Sequence, residues 1–249
     1  MSWTQGPLLG FDTETTGVDI DSDRIVTAAL VRRDASGAHV QTWLINPGVE
    51  IPAAASAIHG ITTERARAEG VDPAVALEEI ADAIAEALLR DIPVVAYNAT
   101  FDLCLLDAEL ERHGLPTLPQ RTGRDTMPVI DPLVLDRHED RFRKGKRKLV
   151  DLCGHYEVVD PGSLHTADVD VAATLDVLDK IVARFPHLAE LDLAALHGYQ
   201  AEAHRVWAEH FNAWRQGRGL PGPGAGAEWL RVRPLLSDPS PSELVASQA

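Results

Sequence analysis

Asp12 and Glu14 stand two positions apart in LLGFDTETTG, directly behind an apolar run and among threonines. In a strand, residues i and i+2 point to the same side, so this spacing holds two negative charges close together on one face. Charges that follow buried strand residues need compensation by hydrogen bonds, basic partners or a cation. Divalent magnesium or manganese, hard ions that prefer carboxylate oxygen, would provide it. Two more carboxylates share this logic: Asp102, in NATFD, and Asp170, in HTADVD, each fall near the start of a predicted helix. Taken singly, an acidic residue there simply opposes the helix macrodipole.

The elements that must position these groups are legible in the hydrophobic pattern. GPLLGFDTE reads as a short buried strand, followed by RIVTAALVRR and AHVQTWLIN, which are strand-like and joined by the turn-rich DASG. Three consecutive antiparallel strands result. A helix then starts with Asp72 as N-cap and Pro73 at its first position, with Leu77, Ile80, Ile84 and Leu88 on one face and Pro93 beyond its end. PVVAYN is another strand. TFDLCLLDAELERHG is a helix capped by Thr100 and ended by Gly114, and HTADVDVAATLDVLDKIVARF is a helix capped by Thr166. KLVDLCGHY reads as a short helix. Residues 186–216 are helical in composition, as one long helix or two broken ones, and 217–249 form a Gly/Pro/Ser-rich tail, flexible or loosely docked. The GxGxxG spacing of Gly217, Gly219 and Gly222 follows a helix rather than a strand, so it is a decoy.

Composition limits the function classes. A chain of 249 residues with 45% hydrophobic and 24% charged residues buries a substantial core and fits one domain (1–185) with an appendage. No run reaches the ~18 apolar residues of a membrane span, and the amino terminus lacks a basic region followed by an apolar one, so a cytoplasmic location is expected. Cys104 and Cys153 form no CxxC and are read as small core residues. The net charge of −15 argues against coating nucleic acid through the overall field. One segment departs from that average: RFRKGKRK, residues 141–148, carries six basic residues in eight, a solvated loop or a polyanion contact.

FDTETTG, NATFD and HTADVD, in this order and spacing, resemble the three exonuclease motifs of the DnaQ-like superfamily, in its subgroup with four acidic residues and an active-site histidine (DEDDh). AIHGIT, residues 57–62, is similar to a segment of its bacterial members. The resemblance covers roughly residues 7–185. It implies an α/β, ribonuclease H-like fold: a mixed five-stranded sheet, its first three strands antiparallel, flanked by helices. It also implies hydrolysis of phosphodiester bonds from a 3′ end, releasing nucleoside monophosphates with two divalent cations, Mg2+ or Mn2+. Carried over by position, Asp12 would bridge both ions, Glu14 and Asp170 would bind the ion that holds the attacking water, and Asp102 would support the second.

The chemistry also stands without the family. A phosphodiester is anionic and resists a hydroxide nucleophile, so two ions about 4 Å apart neutralise it, acidify water and stabilise the leaving oxygen. His165 is the general base, since imidazole titrates near neutrality. On a continuous helix His165 and Asp170 would point about 140° apart, which places His165 on the preceding loop. Thr13 and Thr15 are candidates to offer backbone groups or hydroxyls to the terminal nucleotide. Asn98 fixes a turn or touches substrate, His59 lines the nucleotide pocket by resemblance, and Phe101 is assigned to the core.

The leading expectation is a metal-dependent 3′–5′ exonuclease on single-stranded ends, since a paired terminus does not enter a narrow site. DNA is favoured by motif style; RNA, read through its 2′ hydroxyl, is the alternative. A polymerase or repair partner is open. A non-catalytic binding module on the same fold, or a structural metal protein, has no need of all five of Asp12, Glu14, Asp102, His165 and Asp170.

Overall fold

The computed structural model describes residues 2–158 and 164–230. A mixed five-stranded sheet has the order β3-β2-β1-β4-β5. Strands β1 (Leu8–Thr15), β2 (Ile25–Asp34) and β3 (Gly37–Leu44) are antiparallel neighbours, as the alternating apolar runs predict. Three helices follow: α1 (Ala53–His59), α2 (Thr63–Glu69) and α3 (Pro73–Leu89). Asp72 caps α3, its carboxylate accepting from the Ala74 N–H at 2.9 Å. Strand β4 (Val94–Val95) pairs parallel to β1, and α4 (Ala99–Arg112) and α5 (Leu118–Thr122) lead to β5 (Val129–Ile130), parallel to β4. The chain continues as α6 (Pro132–Glu139), α7 (Leu149–His155), α8 (Ala167–Arg184) and α9 (Leu193–Gly217). Among the described residues no helix is long and apolar enough to cross a membrane.

Both faces of β1 are covered, and its side-chain alternation sorts the helices into layers. Leu9 and Phe11 pack with Leu77, Ile80 and Leu106 of α3 and α4. Leu8, with Val95 and Ile130, packs with Val171, Leu175 and Leu178 of α8. Gly10 lies on the α8 face. A Cβ there would overlap Val171 Cγ1 and lie 3.2 Å from Leu175 Cδ1, so the missing side chain lets α8 approach the strand.

Two expectations change, and one left open is decided. Helix α4 is not capped by Thr100, which sits inside it. Its N-cap is Asn98 in the left-handed region (φ 60°, ψ 46°), a conformation asparagine tolerates. The Asn98 side chain makes no cap bond; the buried carboxylate of Asp131 accepts from both the Asn98 and Ala99 N–H groups, at 3.0 Å each. Residues 193–217 form one continuous helix. Residues 217–230 are not loosely docked: Trp229 is buried, its carbonyl accepts from the Thr100 hydroxyl, and Asn212 pairs twice with Ala225 at 2.8 Å. Residues 231–249, the remainder of the expected tail, lie outside the described residues.

Candidate active site

The carboxyl ends of the parallel strands gather the acidic motifs. Asp12 and Glu14 pair across from Ala29 and Thr27, and a register shift right after Glu14 ends the regular ladder. Both project to the side that Gly10 opens to α8. Asp170 lies in the first turn of α8, one residue before the Val171 that packs over Gly10. As a result, one carboxylate oxygen from each of Asp12, Glu14 and Asp170 lies within 4.8 Å of the others.

Asp102 reaches the site from the opposite layer. Its buried carboxylate accepts from the Thr13 N–H at 3.0 Å and the Thr13 hydroxyl at 2.7 Å. Thr13 points away from Asp12 by strand alternation, so its polar groups serve Asp102 rather than a nucleotide. The Thr15 hydroxyl is likewise engaged, donating to the Gly17 carbonyl at 2.6 Å.

The electrostatics show the cost of this gathering. Burial, then the charges of Asp102, Asp170 and Glu14, hold the Asp12 carboxyl well above the usual carboxylate range. Burial and Asp170 push Glu14 up to about 7. Asp102 also rises to about 7 through burial, against the lowering effect of its Thr13 bonds and with the Asp131 charge adding to the rise. No basic group offsets the shifts of Asp12 and Glu14. A divalent cation would supply what is missing, and the all-oxygen donor set fits a hard ion.

His165 lies on the loop before α8, as the helical geometry predicts, with a positive φ of 97°. Its N–H donates to both Asp170 oxygens, at 3.2 and 3.3 Å, which ties this unusual backbone to a metal-ligand candidate. Its residue lines a cleft of about 220 Å³ together with Glu14, Trp43, His59 and Arg65. His59 ends α1 and is buried; its Nδ1 accepts from the Ile61 N–H at 3.1 Å. The neutral ring therefore carries its proton on Nε2, which has no partner of good hydrogen-bond geometry. Burial lowers the His59 pKa, the Thr15 backbone opposing this in part. Asn98 is exposed at the turn into α4.

Sequence reasoning missed four contributors. Gly10 had no signal beyond its place in a strand, and the task of Thr13 depends on a residue 89 positions away. Asp131 belongs to none of the three motifs. Arg65, a basic residue of the cleft, sits in an unremarkable surface helix.

The RNase T exonuclease family matches residues 9–178, from β1 into α8, and this span holds all three motifs. Exonuclease CP81 of Escherichia phage 186 is 32% identical over 186 residues, 72% of this chain and 90% of its own length. The PolC-type DNA polymerase III of Streptococcus pneumoniae is 33% identical over 139 residues, which are 55% of this chain and 9% of the polymerase. Among solved structures, exonuclease I superimposes with a TM-score of 0.64 at 22% identity, over 75% of this chain and 43% of its own. The zinc-bound complex of Escherichia coli exonuclease I with single-stranded DNA gives 0.63 at 21%, over 83% and 44%. The chain thus spans under half the length of exonuclease I, and the likeness at these identities is one of fold. With the motif carboxylates converging at the carboxyl end of β1 and the family match enclosing them, the chain belongs to the RNase T exonuclease family, within the DnaQ-like superfamily.

Proposed function

We propose that this nuclease removes nucleotides from the 3′ end of single-stranded DNA, using two divalent cations and His165 as general base. The observation that carries the reading is the convergence of Asp12, Glu14 and Asp170 within 4.8 Å, with Asp102 fixed beside them by Thr13. Asp12 would touch both ions, Glu14 and Asp170 the one on the nucleophile side, and Asp102 the other. Two ions bound there supply charge neutralisation at the phosphodiester and acidify water.

The chain's own residues do the rest. Thr13 holds the Asp102 carboxylate in one orientation. The backbone bond from His165 to Asp170 ties this residue to the carboxylate cluster, and its imidazole would take the proton of the attacking water. His59 packs as part of the wall of the nucleotide cleft, and Arg65 offers positive charge in the same cleft. Asn98 shapes the turn that brings Asp102 in.

DNA is favoured because the polymerase relative is a DNA polymerase and the exonuclease I complexes hold single-stranded DNA. The test is a time course on 3′-labelled single-stranded DNA, duplex DNA and RNA with magnesium, manganese or EDTA. Mononucleotides released from single-stranded DNA only with metal, and not by Asp12→Ala, are the expected result. Equal rates for wild type and Asp12→Ala would overturn the assignment, and preferential RNA cleavage would overturn the substrate.

A further inference from the structure

Two features outside the metal site face each other beside α6. The first is the basic segment 141–148. Tyr97 Oη donates to the Arg147 carbonyl at 2.6 Å, one residue before Asn98, which anchors the segment at the active-site end of β4. Arg143 reaches the buried Asp136 at 3.2 Å and Arg147 joins it there, so two guanidiniums share one carboxylate and net positive charge remains.

The second is a ladder of rings on α9. Trp207, Phe211 and Trp214 occupy positions i, i+4 and i+7 and so form one stripe. Trp207 and Phe211 stack with centroids 5.2 Å apart, and Phe211 and Trp214 at 5.9 Å. Arg137 of α6 closes one end, 3.6 Å from the Trp207 ring centre. At the other end Trp214 is 48% exposed, and the Arg218 guanidinium lies over it at 5.0 Å. A groove of about 770 Å³ runs between ladder and basic segment; Arg137, Arg141, Arg143 and Arg147 line it and, among the described residues, no Asp or Glu does. In a chain of net charge −15, this is a local reversal of sign.

An aromatic stripe alone would fit an apolar helix of another protein. Four guanidiniums against the single buried carboxylate of Asp136 favour a polyanion, and flat rings with an exposed end favour bases that are not paired. Helix α6 links the groove to the scaffold of the metal site. Helix α6 starts at Asp131, which holds the first turn of α4. Arg137 is six residues along α6, about 9 Å, and Trp207 to Trp214 adds about 10 Å. At about 3.4 Å per stacked nucleotide, those two stretches laid end to end match roughly six nucleotides.

Building on the exonuclease reading, we propose that this groove holds the single strand upstream of the 3′ terminus, with phosphates along Arg141, Arg143 and Arg147 and a base on the Trp214 face in place of Arg218. The test is fluorescence anisotropy of the full chain in EDTA, where no turnover occurs, with 5′-fluorescein dT16 and an abasic 16-mer. Trp214→Ala should weaken dT16 by about fivefold or more and leave the abasic strand unchanged. Arg141→Ala should weaken both and lower the salt slope by about 0.7. Unchanged dT16 binding by Trp214→Ala, or equal loss for the abasic strand, overturns the proposal and leaves the face to a protein partner. Metal-dependent hydrolysis of an aryl ester of thymidine 5′-monophosphate, which is too short to reach the groove, separately reads whether the chain is catalytic.

Discussion

The Thr13 hydroxyl donates to the Asp102 carboxylate at 2.7 Å, and the Thr13 N–H adds a second bond to the same oxygen. One residue of β1 thereby orients a metal-ligand candidate on α4, while its neighbours Asp12 and Glu14 present carboxylates on the other side. Thr13→Val keeps the shape and the N–H bond and removes the hydroxyl. Loss of a bond that orients a metal ligand costs about 10- to 100-fold in metal affinity or activity. Because Thr13 lowers the Asp102 pKa, the acid limb of the rate profile should also move to higher pH. Wild-type kinetics in Thr13→Val would show that the N–H alone suffices.

His165 is the one nitrogen base among the five motif residues. His165→Ala should lower kcat by about 10²- to 10⁴-fold. Manganese binding by calorimetry should stay near wild type, since the carboxylates remain. A variant that turns over normally removes histidine from the mechanism; one that loses manganese binding makes it a ligand.

How much of this was readable in advance follows from the range of the forces involved. The strands and α3 were legible because alternation and capping are local, as with Asp72 before Pro73. The four carboxylates and His165 were legible because each motif is short and the three keep their order. What escaped was long-range: Thr13 on Asp102, Asp131 on the Asn98 turn, and α8 over Gly10. The Thr100 cap failed for the same reason, since a distant carboxylate holds the Asn98 and Ala99 N–H groups, so that the helix starts at Ala99 and Thr100 lies inside it.

The carboxylate cluster makes the metal-free fold sensitive to pH. Asp12, Glu14 and Asp102 have folded pKa values raised above their unfolded ones, Glu14 and Asp102 to about 7. Between pH about 4 and 7 the folded chain therefore keeps protons that the unfolded chain has released, and this contribution to stability is lost as pH rises. His59, His113, His197 and His204 act in the opposite sense, their pKa values being lowered by burial. The cluster is therefore read by comparison with Asp12→Asn. At pH 8 in EDTA the variant should melt higher than wild type, by on the order of 5 °C. Manganese should reverse the order by stabilising only the wild type. Identical melting curves at pH 8 with and without metal would rule out this repulsion.

Gly10→Ala tests whether α8 sets the geometry of the site. The new methyl would collide with Val171, forcing α8 outward and with it Asp170. Overpacking of this kind costs about 1–3 kcal/mol, and activity should fall with stability. Adding Val171→Ala makes room and should recover much of both. If the double variant is no better than Gly10→Ala, the strand itself, rather than the contact with α8, requires glycine.

Asp131 joins the two halves of the site's scaffold. Its carboxylate accepts from the Asn98 and Ala99 N–H groups and, at 2.9 Å, from Leu133, so one side chain holds the starts of both α4 and α6. Trp229 Nε1 approaches the same carboxylate at 3.4 Å. Asp131→Asn leaves one oxygen for these donors and turns an amide N–H2 toward the rest, so charge-assisted bonds worth about 1.5–3 kcal/mol each are lost. A fall in Tm on the order of 5 °C or more should follow. The charge of Asp131 is also among the causes that raise the Asp102 pKa, so its removal should move the acid limb of the rate profile to lower pH. Thr13→Val is expected to move the same limb upward. A loss of stability alone predicts neither direction, so opposite shifts in the two variants would identify Asp102 as the group that titrates, and a common shift would assign the limb to another residue.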